Sequence, residues 1–296
     1  MNTLWSTYVQ TSEELYAYRA ERFRDDNRTL WLTALGVRDG MSALEVGCGS
    51  GLLCHRVKAH CPGAAVTGLD RDSSHIAFAR RKTAELGLDV TFTEGDATAL
   101  PFADNTFDVC FSHTVFEHVP TKPFLREQYR VLKPGGRIAV LSVRTRMGTA
   151  DNNAHLTTPE EEALFTKAWS GAGDFDKRNG IATYERPERE YPPALVEAGF
   201  TGVGVDFFAV SDYNPDSVDE ATAVAQIEAY RMAALTSVQK GLAHKPDALS
   251  GDEKKRLTDM IRSRFDRRIA QRRNGEQLWD FTVSVIMAVT GYKPGA

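Results

Sequence analysis

The sequence is short of cysteine, of long apolar runs and of any surplus of one charge, and each shortage removes a class of protein. Four cysteines in 296 residues (Cys48, Cys54, Cys61, Cys110) are too few for a disulfide scaffold and match a reducing compartment. The most apolar stretch, Phe281 to Val289, contains Thr282 and Ser284 and is far too short to cross a bilayer. Forty acidic against 36 basic side chains give a net charge of -4, so no basic excess announces nucleic acid. The opening Met1-Asn2-Thr3-Leu4-Trp5 has no basic n-region, and Glu13-Glu14 stand where an apolar h-region would be needed. A cytoplasmic protein with no membrane partner is expected. What is present, 42% hydrophobic and 26% charged residues, is the balance of a globular chain able to bury a full core.

No metal is expected either. Cys54-His55 and His60-Cys61 crowd four potential zinc ligands together. Structural zinc sites separate paired cysteines by about two to four residues, and adjacent Cys-His pairs fit that poorly. These thiols read as groups on or after a helix.

From Ser42 to Val143 short apolar β-type runs alternate with helical segments. Strand candidates are 43–46, 65–69, 90–93, 107–111 and 137–141, and their near-continuous hydrophobicity fits a parallel sheet buried on both faces. Ser73-Ser74 opens a helix through Ile76, Phe78 and Ala79. Another helix carries Leu125, Gln128, Tyr129 and Leu132 until Lys133-Pro134-Gly135-Gly136 stops it. This alternation predicts a doubly wound α/β sheet. On the flanks, residues 1–40 read as helix with a capping box at Thr11 and Glu14. A polar loop (Gly148, Asp151, Asn152, Asn153) follows Val143, and Thr158-Pro159-Glu160 opens the next helix. Further on come a helix at 193–198, a strand at 202–210, helices at about 217–240 and from Ser250 onward, and a last strand at 278–289.

The strongest chemical signal is Glu45-Val46-Gly47-Cys48-Gly49-Ser50-Gly51, directly after a strand and opening a helix. Glycines there let the backbone approach a ligand closely, and a helix N-terminus favours an anionic group. Nicotinamide and flavin proteins share such a turn, but the nicotinamide fingerprint G-x-G-x-x-G requires glycine where this chain has Leu52. Asp70 ends the second strand about twenty residues on, where a carboxylate can accept hydrogen bonds from two ribose hydroxyls. Asp96, in Glu94-Gly95-Asp96-Ala97, is either a turn-forming residue or an acceptor for an adenine amino group.

In these motifs the chain resembles the class I S-adenosylmethionine (SAM) dependent methyltransferases, of the small-molecule type that includes the ubiquinone/menaquinone C-methyltransferases. The residues that carry the likeness are Leu44 to Gly51, Gly68-Leu69-Asp70, Glu94 to Ala97 with Leu100-Pro101-Phe102, Phe107-Asp108-Val109, Phe116-Glu117-His118-Val119 and Leu132 to Gly136. It covers about residues 40–145, with Leu195 to Phe200 further on. The resemblance implies a Rossmann-like seven-stranded fold, mostly parallel, with an antiparallel last strand. It implies that the Gly47–Gly51 loop, with Gly47, Cys48, Gly49 and Gly51, holds the methionine part of SAM, Asp70 the ribose, and Asp96 with the Ala97 backbone the adenine, with Glu45 and Arg71 also among the cofactor-binding residues. Ser112 and His113 would lie beside the sulfonium, and the product would be S-adenosylhomocysteine. The strand-four motif is neither Asn-Pro-Pro-Tyr nor Asp-Pro-Pro-Tyr, which argues against amino-adenine methylation of DNA.

A small-molecule methyl acceptor is therefore expected. An RNA or protein acceptor, a SAM-binding protein without catalysis and, more remotely, a nicotinamide dehydrogenase are the alternatives. If the acceptor must lose a proton, His113 is the first candidate base, with His118 and Glu117 behind it. If the seven-stranded order holds, 41–210 plus 277–296 form the core, while 211–276 is inserted between the last two strands. That insertion, the 144–190 connection and the N-terminal 1–40 would make a lid. The second inserted helix has an apolar stripe (Leu257, Met260 or Ile261, Phe265, Ile269) flanked by nine Lys and Arg, read as a solvated face or a contact for an anionic acceptor or RNA. Tyr8, Tyr16 and Tyr18 read as packing residues that could border the acceptor. The acceptor, the atom methylated and the oligomeric state are not encoded legibly.

Overall fold

A computed structural model of the protein describes residues 5–144, 147–151, 157–211 and 215–295. The strands are β1 (Ser42–Val46), β2 (Ala65–Asp70), β3 (Val90–Glu94), β4 (Phe107–His113), β5 (Leu132–Val143), β6 (Thr149–Asp151), β7 (Thr201–Ser211) and β8 (Phe281–Tyr292). The chain divides into two compact units, one of Met1–Met147, Gly180–Val210 and Val285–Ala296, the other of Gly148–Asn179 and Ser211–Ser284. The connection after β5 thus contributes 148–179 to the same unit as the insertion between β7 and β8.

In the first unit the strands run in the order β3-β2-β1-β4-β5-β8, with β7 paired to β8. β1 to β5 are mutually parallel, and β8 lies antiparallel to β5, with Val140 opposite Val289. This is the Rossmann-like order expected from the sequence, β7 and β8 being its last two strands. β6 is a three-residue addition that pairs with Phe281–Val283, within the second unit.

Strand periodicity builds two cores, because successive side chains face opposite sides of the sheet. Ala43, Val109 and Phe111 join one cluster with Trp31, Leu35, Leu53 and Ile76 from α3 (Arg28–Leu35), α4 (Leu52–His60) and α5 (Ser73–Leu86). Leu44, Val46 and Cys110 join the other, with Phe124 of α6 (Thr121–Val131) and Leu195 of α9 (Tyr191–Glu197). Each such fully buried large side chain contributes roughly 1.5–3 kcal/mol. Parallel strands sandwiched in this way place the carboxyl ends of β1 to β4 at one edge, where the glycine loop after β1, Asp70 at the end of β2, Asp96 after β3 and His113 at the end of β4 lie, whereas Phe107-Asp108-Val109 and Leu132 to Gly136 open β4 and β5 at the opposite edge.

Several boundaries differ from the sequence reading. Among the described residues of the first 40 there are three helices: α1 (Trp5–Tyr8), α2 (Ser12–Arg22) and α3. α2 opens with the expected capping box at Thr11 and Glu14, but Asn27 folds back to donate to the Arg22 carbonyl at 3.0 Å and breaks the run. The last strand starts at Phe281, since Leu278 and Trp279 instead donate their backbone N–H groups to Asp216 and Trp279 has φ +52°. Asn152 and Asn153 lie outside the described residues.

The second unit packs α7 (Pro159–Ala168), α8 (Ala172–Asn179), α10 (Glu220–His244) and α11 (Gly251–Arg273). Leu257, Ile261, Phe265 and Ile269, the expected stripe of α11, form its core with Ile227 and Val238. The basic residues of α11 do not form a simple solvated face. Arg268 is fully buried between Asp216 (2.7 Å) and Asp280 (2.9 Å), and Arg264 is buried against Glu161 at 2.9 Å. Arg256 pairs with Glu160 and Lys255 with Asp259. Much of the apparent positive surplus is neutralised within the unit.

Candidate active site

The glycine loop is shaped by its neighbours. Gly47 and Cys48 donate their backbone N–H groups to the Leu69 carbonyl at 2.7 and 2.9 Å, which folds the loop onto the end of β2. Gly47 has φ +75°, and a Cβ there would lie 2.4 Å from a Val115 methyl, so only glycine fits. Asp70, ending β2, accepts the Gly49 N–H on one carboxylate oxygen (2.7 Å) and the Asp72 N–H on the other (2.9 Å). A carboxylate accepts about four hydrogen bonds, so capacity remains for a ligand. Asp96 does form the turn allowed for it, accepting from the Thr98 N–H at 2.8 Å and hydroxyl at 2.7 Å through one oxygen.

These residues border a cavity of about 420 Å³ in the first unit. Of the site residues named from the sequence, Gly47, Gly49, Asp70, Arg71, Asp96, Ala97 and His113 line it. Glu45, Cys48, Gly51 and Ser112 do not line it. Glu45, Cys48 and Ser112 are fully buried, and Gly51 begins α4 against Phe92 and Ala79. The Glu45 carboxylate accepts from the Cys54 N–H (3.1 Å) and thiol (2.9 Å). Burial pushes its pKa up to about 7, with Arg19 opposing the shift from 3.8 Å.

Arg19 is the residue that the sequence reading missed. It reaches from α2 to donate to the Cys48 carbonyl at 2.8 Å and to the His113 carbonyl at 3.4 Å, and it lines the cavity. Its signal was present: Ser12, Leu15, Arg19 and Arg22 recur at helical spacing and are all buried. A cation on the inward stripe of an amphipathic helix marks a buried partner. His75 was missed too; its Nδ1 meets the Ser12 hydroxyl at 2.8 Å, and its Nε2 is buried without a partner.

His113 is buried at the end of β4, edge-on to Phe23 at 4.8 Å, and neither ring nitrogen has a hydrogen-bond partner. Burial, then the charges of Arg19 and Arg22, hold its pKa well below the usual histidine range, so the ring is neutral. His118 accepts the Ala182 N–H on Nδ1 at 2.9 Å, and burial pushes it down to about 4. Glu117 is raised by burial, with Arg144 opposing. Tyr18 lines the cavity under the Arg22 guanidinium, at 4.5 Å. Tyr16 turns to His55 and Phe78 instead, and the side chain of Tyr8 lies outside the described residues.

Among the described residues no three His, Cys, Asp or Glu side chains gather as a metal site. The Cys54–Cys61 groups have other partners: Cys54 takes Glu45, His55 takes Thr83 at 2.8 Å, His60 takes Asp25 at 2.9 Å, and Cys61 faces the Val37 carbonyl.

A parallel sheet with one antiparallel strand beside β5 and a glycine loop at its carboxyl edge is a Rossmann-like fold. Residues 44–140 match the family described as a methyltransferase domain, and the chain carries that domain there. Among curated proteins it is similar to a demethylmenaquinone methyltransferase of Thermus thermophilus, 43% identical over 33% of this chain and 45% of that protein. It is also similar to a ubiquinone biosynthesis O-methyltransferase of Brucella anthropi, 36% identical over 36% of this chain and 42% of the relative. The chain spans about half the length of the curated relatives it matches. Among solved structures it shares its fold with Haemonchus contortus phosphoethanolamine N-methyltransferase 2, solved with phosphomonomethylethanolamine and S-adenosylhomocysteine. That match has a TM-score of 0.55 at 17% identity and covers 98% of this chain and 59% of the other.

Proposed function

We propose that the chain is a SAM-dependent methyltransferase that acts on a small-molecule acceptor by in-line displacement. The observation that carries this reading is the Gly49–Asp70 hydrogen bond at the edge of a cavity shared with Asp96, Ala97, Arg19 and His113. The reading is supported by a close-approach backbone, a carboxylate with capacity to spare and a buried cation that share one space. The residues fit the cofactor: Asp70 would hold the ribose hydroxyls, Asp96 and the Ala97 backbone the adenine, the Gly47–Gly51 loop the methionine chain, and Arg19 its carboxylate. SAM supplies an activated methyl group on a sulfonium. The protein's part is to hold acceptor and methyl in line, which supplies several kcal/mol of the barrier, and to exclude water from the cavity. His113, neutral and with both nitrogens unpartnered, gives that cavity a polar wall that orients the acceptor.

An RNA acceptor is disfavoured by the burial and pairing of Arg264 and Arg268 on α11, the chain's richest basic segment. A cytoplasmic setting agrees with four unpaired, buried cysteines; among the described residues no helix is long and apolar enough to cross a membrane. The test is a screen of small-molecule acceptors that follows conversion of SAM to S-adenosylhomocysteine. Turnover with a small molecule is expected. Turnover with RNA or protein alone, steeply suppressed by salt in the RNA case, would overturn the acceptor class.

A further inference from the structure

Folded interiors pack closely and leave few voids larger than a water molecule, so a large hollow inside a helical unit calls for an explanation. The second unit contains one. A cavity of about 680 Å³ lies among α7, α10, α11 and the start of β8, larger than the 420 Å³ of the first-unit cavity. The two share no lining residue, and every residue around the larger one belongs to the second unit. It therefore lies wholly outside the 44–140 family match. Its origin is legible in α10. Tyr230, Ala233, Ala234 and Ser237 recur at helical spacing and line the cavity. Ile227 and Val238 of the same helix reach the core that Leu257 and Ile261 of α11 help to form, which holds α10 against its neighbours at two levels. Between those levels three of the four wall residues are small. Their short side chains leave the space before Phe165 of α7 and Phe265 of α11 unfilled.

We propose that this cavity is a second ligand site, carried by the helical unit alone, and that it takes an uncharged, mainly apolar small molecule. Its volume falls within the range of about 300–1,000 Å³ typical of small-molecule sites. Phe165, Tyr230, Ala233, Ala234, Ile261 and Phe265 give it a carbon-rich wall, and the Ser237 and Thr282 hydroxyls can meet one polar group of a ligand.

The pairing of the charged residues decides against an ionic ligand. Four of them line the cavity: Glu161, Glu162, Arg264 and Asp280. Glu161 and Arg264, both buried, bond each other at 2.9 and 3.0 Å. Asp280, also buried, takes Arg268 at 2.9 Å. Glu162 is exposed and accepts from the Thr157 hydroxyl at 2.7 Å, so water screens its charge. The buried charges are thus matched within the protein. An ion entering the cavity would give up hydration without gaining a counter-charge, whereas a neutral apolar body gains by leaving water.

The test uses the full chain and three naphthalenes that differ in charge. N-phenyl-1-naphthylamine is neutral and brightens on leaving water, 8-anilinonaphthalene-1-sulfonate is its anionic counterpart, and 1-naphthylmethylammonium is a cation read by displacement. The neutral probe is expected to bind one site at least about tenfold more tightly than either ion. Ala234→Phe, which fills the hollow, is expected to weaken it by about tenfold or more. Met232→Ser is expected to leave it within about twofold, since Met232 is 59% exposed on α10 and outside the lining. Saturating S-adenosylhomocysteine is expected to leave it unchanged, because the cavities are separate. Absence of neutral-probe binding, equal binding by Ala234→Phe, or displacement by S-adenosylhomocysteine would overturn the site. An ion bound as tightly as the neutral probe would overturn the ligand class. Failure of S-adenosylhomocysteine itself to bind counts against the methyltransferase reading alone, since the neutral-probe comparison does not depend on it. Should Ala234→Phe lose its cooperative unfolding transition, Ala233→Phe, at the more exposed neighbouring position of the same wall, carries the same comparison.

Discussion

Glu45 and His113 are both buried in the wall of one sheet edge, and burial drives both toward neutrality from opposite directions. For Glu45 this has a consequence for stability. Its folded pKa of about 7 lies above the ordinary carboxyl value of 4.5, so between those two pH values the folded state binds more protons than the unfolded one. The contribution is therefore fully present below about pH 4.5 and is lost as pH rises through 7, an effect on the order of 3 kcal/mol. Glu45→Gln keeps an oxygen for the Cys54 donors and removes the titration. Denaturant unfolding of this variant is expected to show a flatter stability profile between pH 4.5 and 7 than wild type; a parallel decline in both proteins would mean that Glu45 ionises normally. Site residues were legible unequally. Gly47, Asp70 and Asp96 announce themselves through spacing after strands. Arg19 does not, because its role depends on contacts that the fold brings across from a distant helix.

Elements were legible where a single physical signal dominated. β1 to β5 follow from apolar runs punctuated by glycine, and α2 and α11 from capping boxes that form as the sequence requires. The misreadings arose where tertiary contacts overrode local preference: Asn27 folding back on Arg22, or Asp216 drawing Leu278 and Trp279 out of β8. The two faces of α11 show the same limit, since composition cannot tell a solvated arginine from Arg268 held between two aspartates. For α2, position on the inward stripe makes a firm prediction. Arg19→Met retains the length of the side chain and loses its charge. Affinity for S-adenosylhomocysteine is expected to fall by about 1.5–3 kcal/mol, the range for a charged hydrogen-bond partner. Adenosine, which lacks the carboxylate, is expected to bind the variant as it binds wild type. Equal losses for both ligands would mean that α2 matters only for packing.

The family match, the cavity and every proposed cofactor contact fall within the first compact unit, which the chain leaves twice, after Met147 and after Val210. Replacing 148–179 and 211–284 with flexible Gly/Ser linkers is expected to leave a cooperatively folding core that binds S-adenosylhomocysteine, while turnover of the natural acceptor collapses. Retained turnover would show that the helical unit has no part in acceptor handling. The central claim needs only the intact chain. Titration calorimetry with S-adenosylhomocysteine is predicted to give one site per chain, with affinity reduced by about 1–3 kcal/mol in a folded Asp70→Asn variant. Binding of NADH or NADPH in place of S-adenosylhomocysteine, or an Asp70→Asn variant with unchanged affinity, would contradict it.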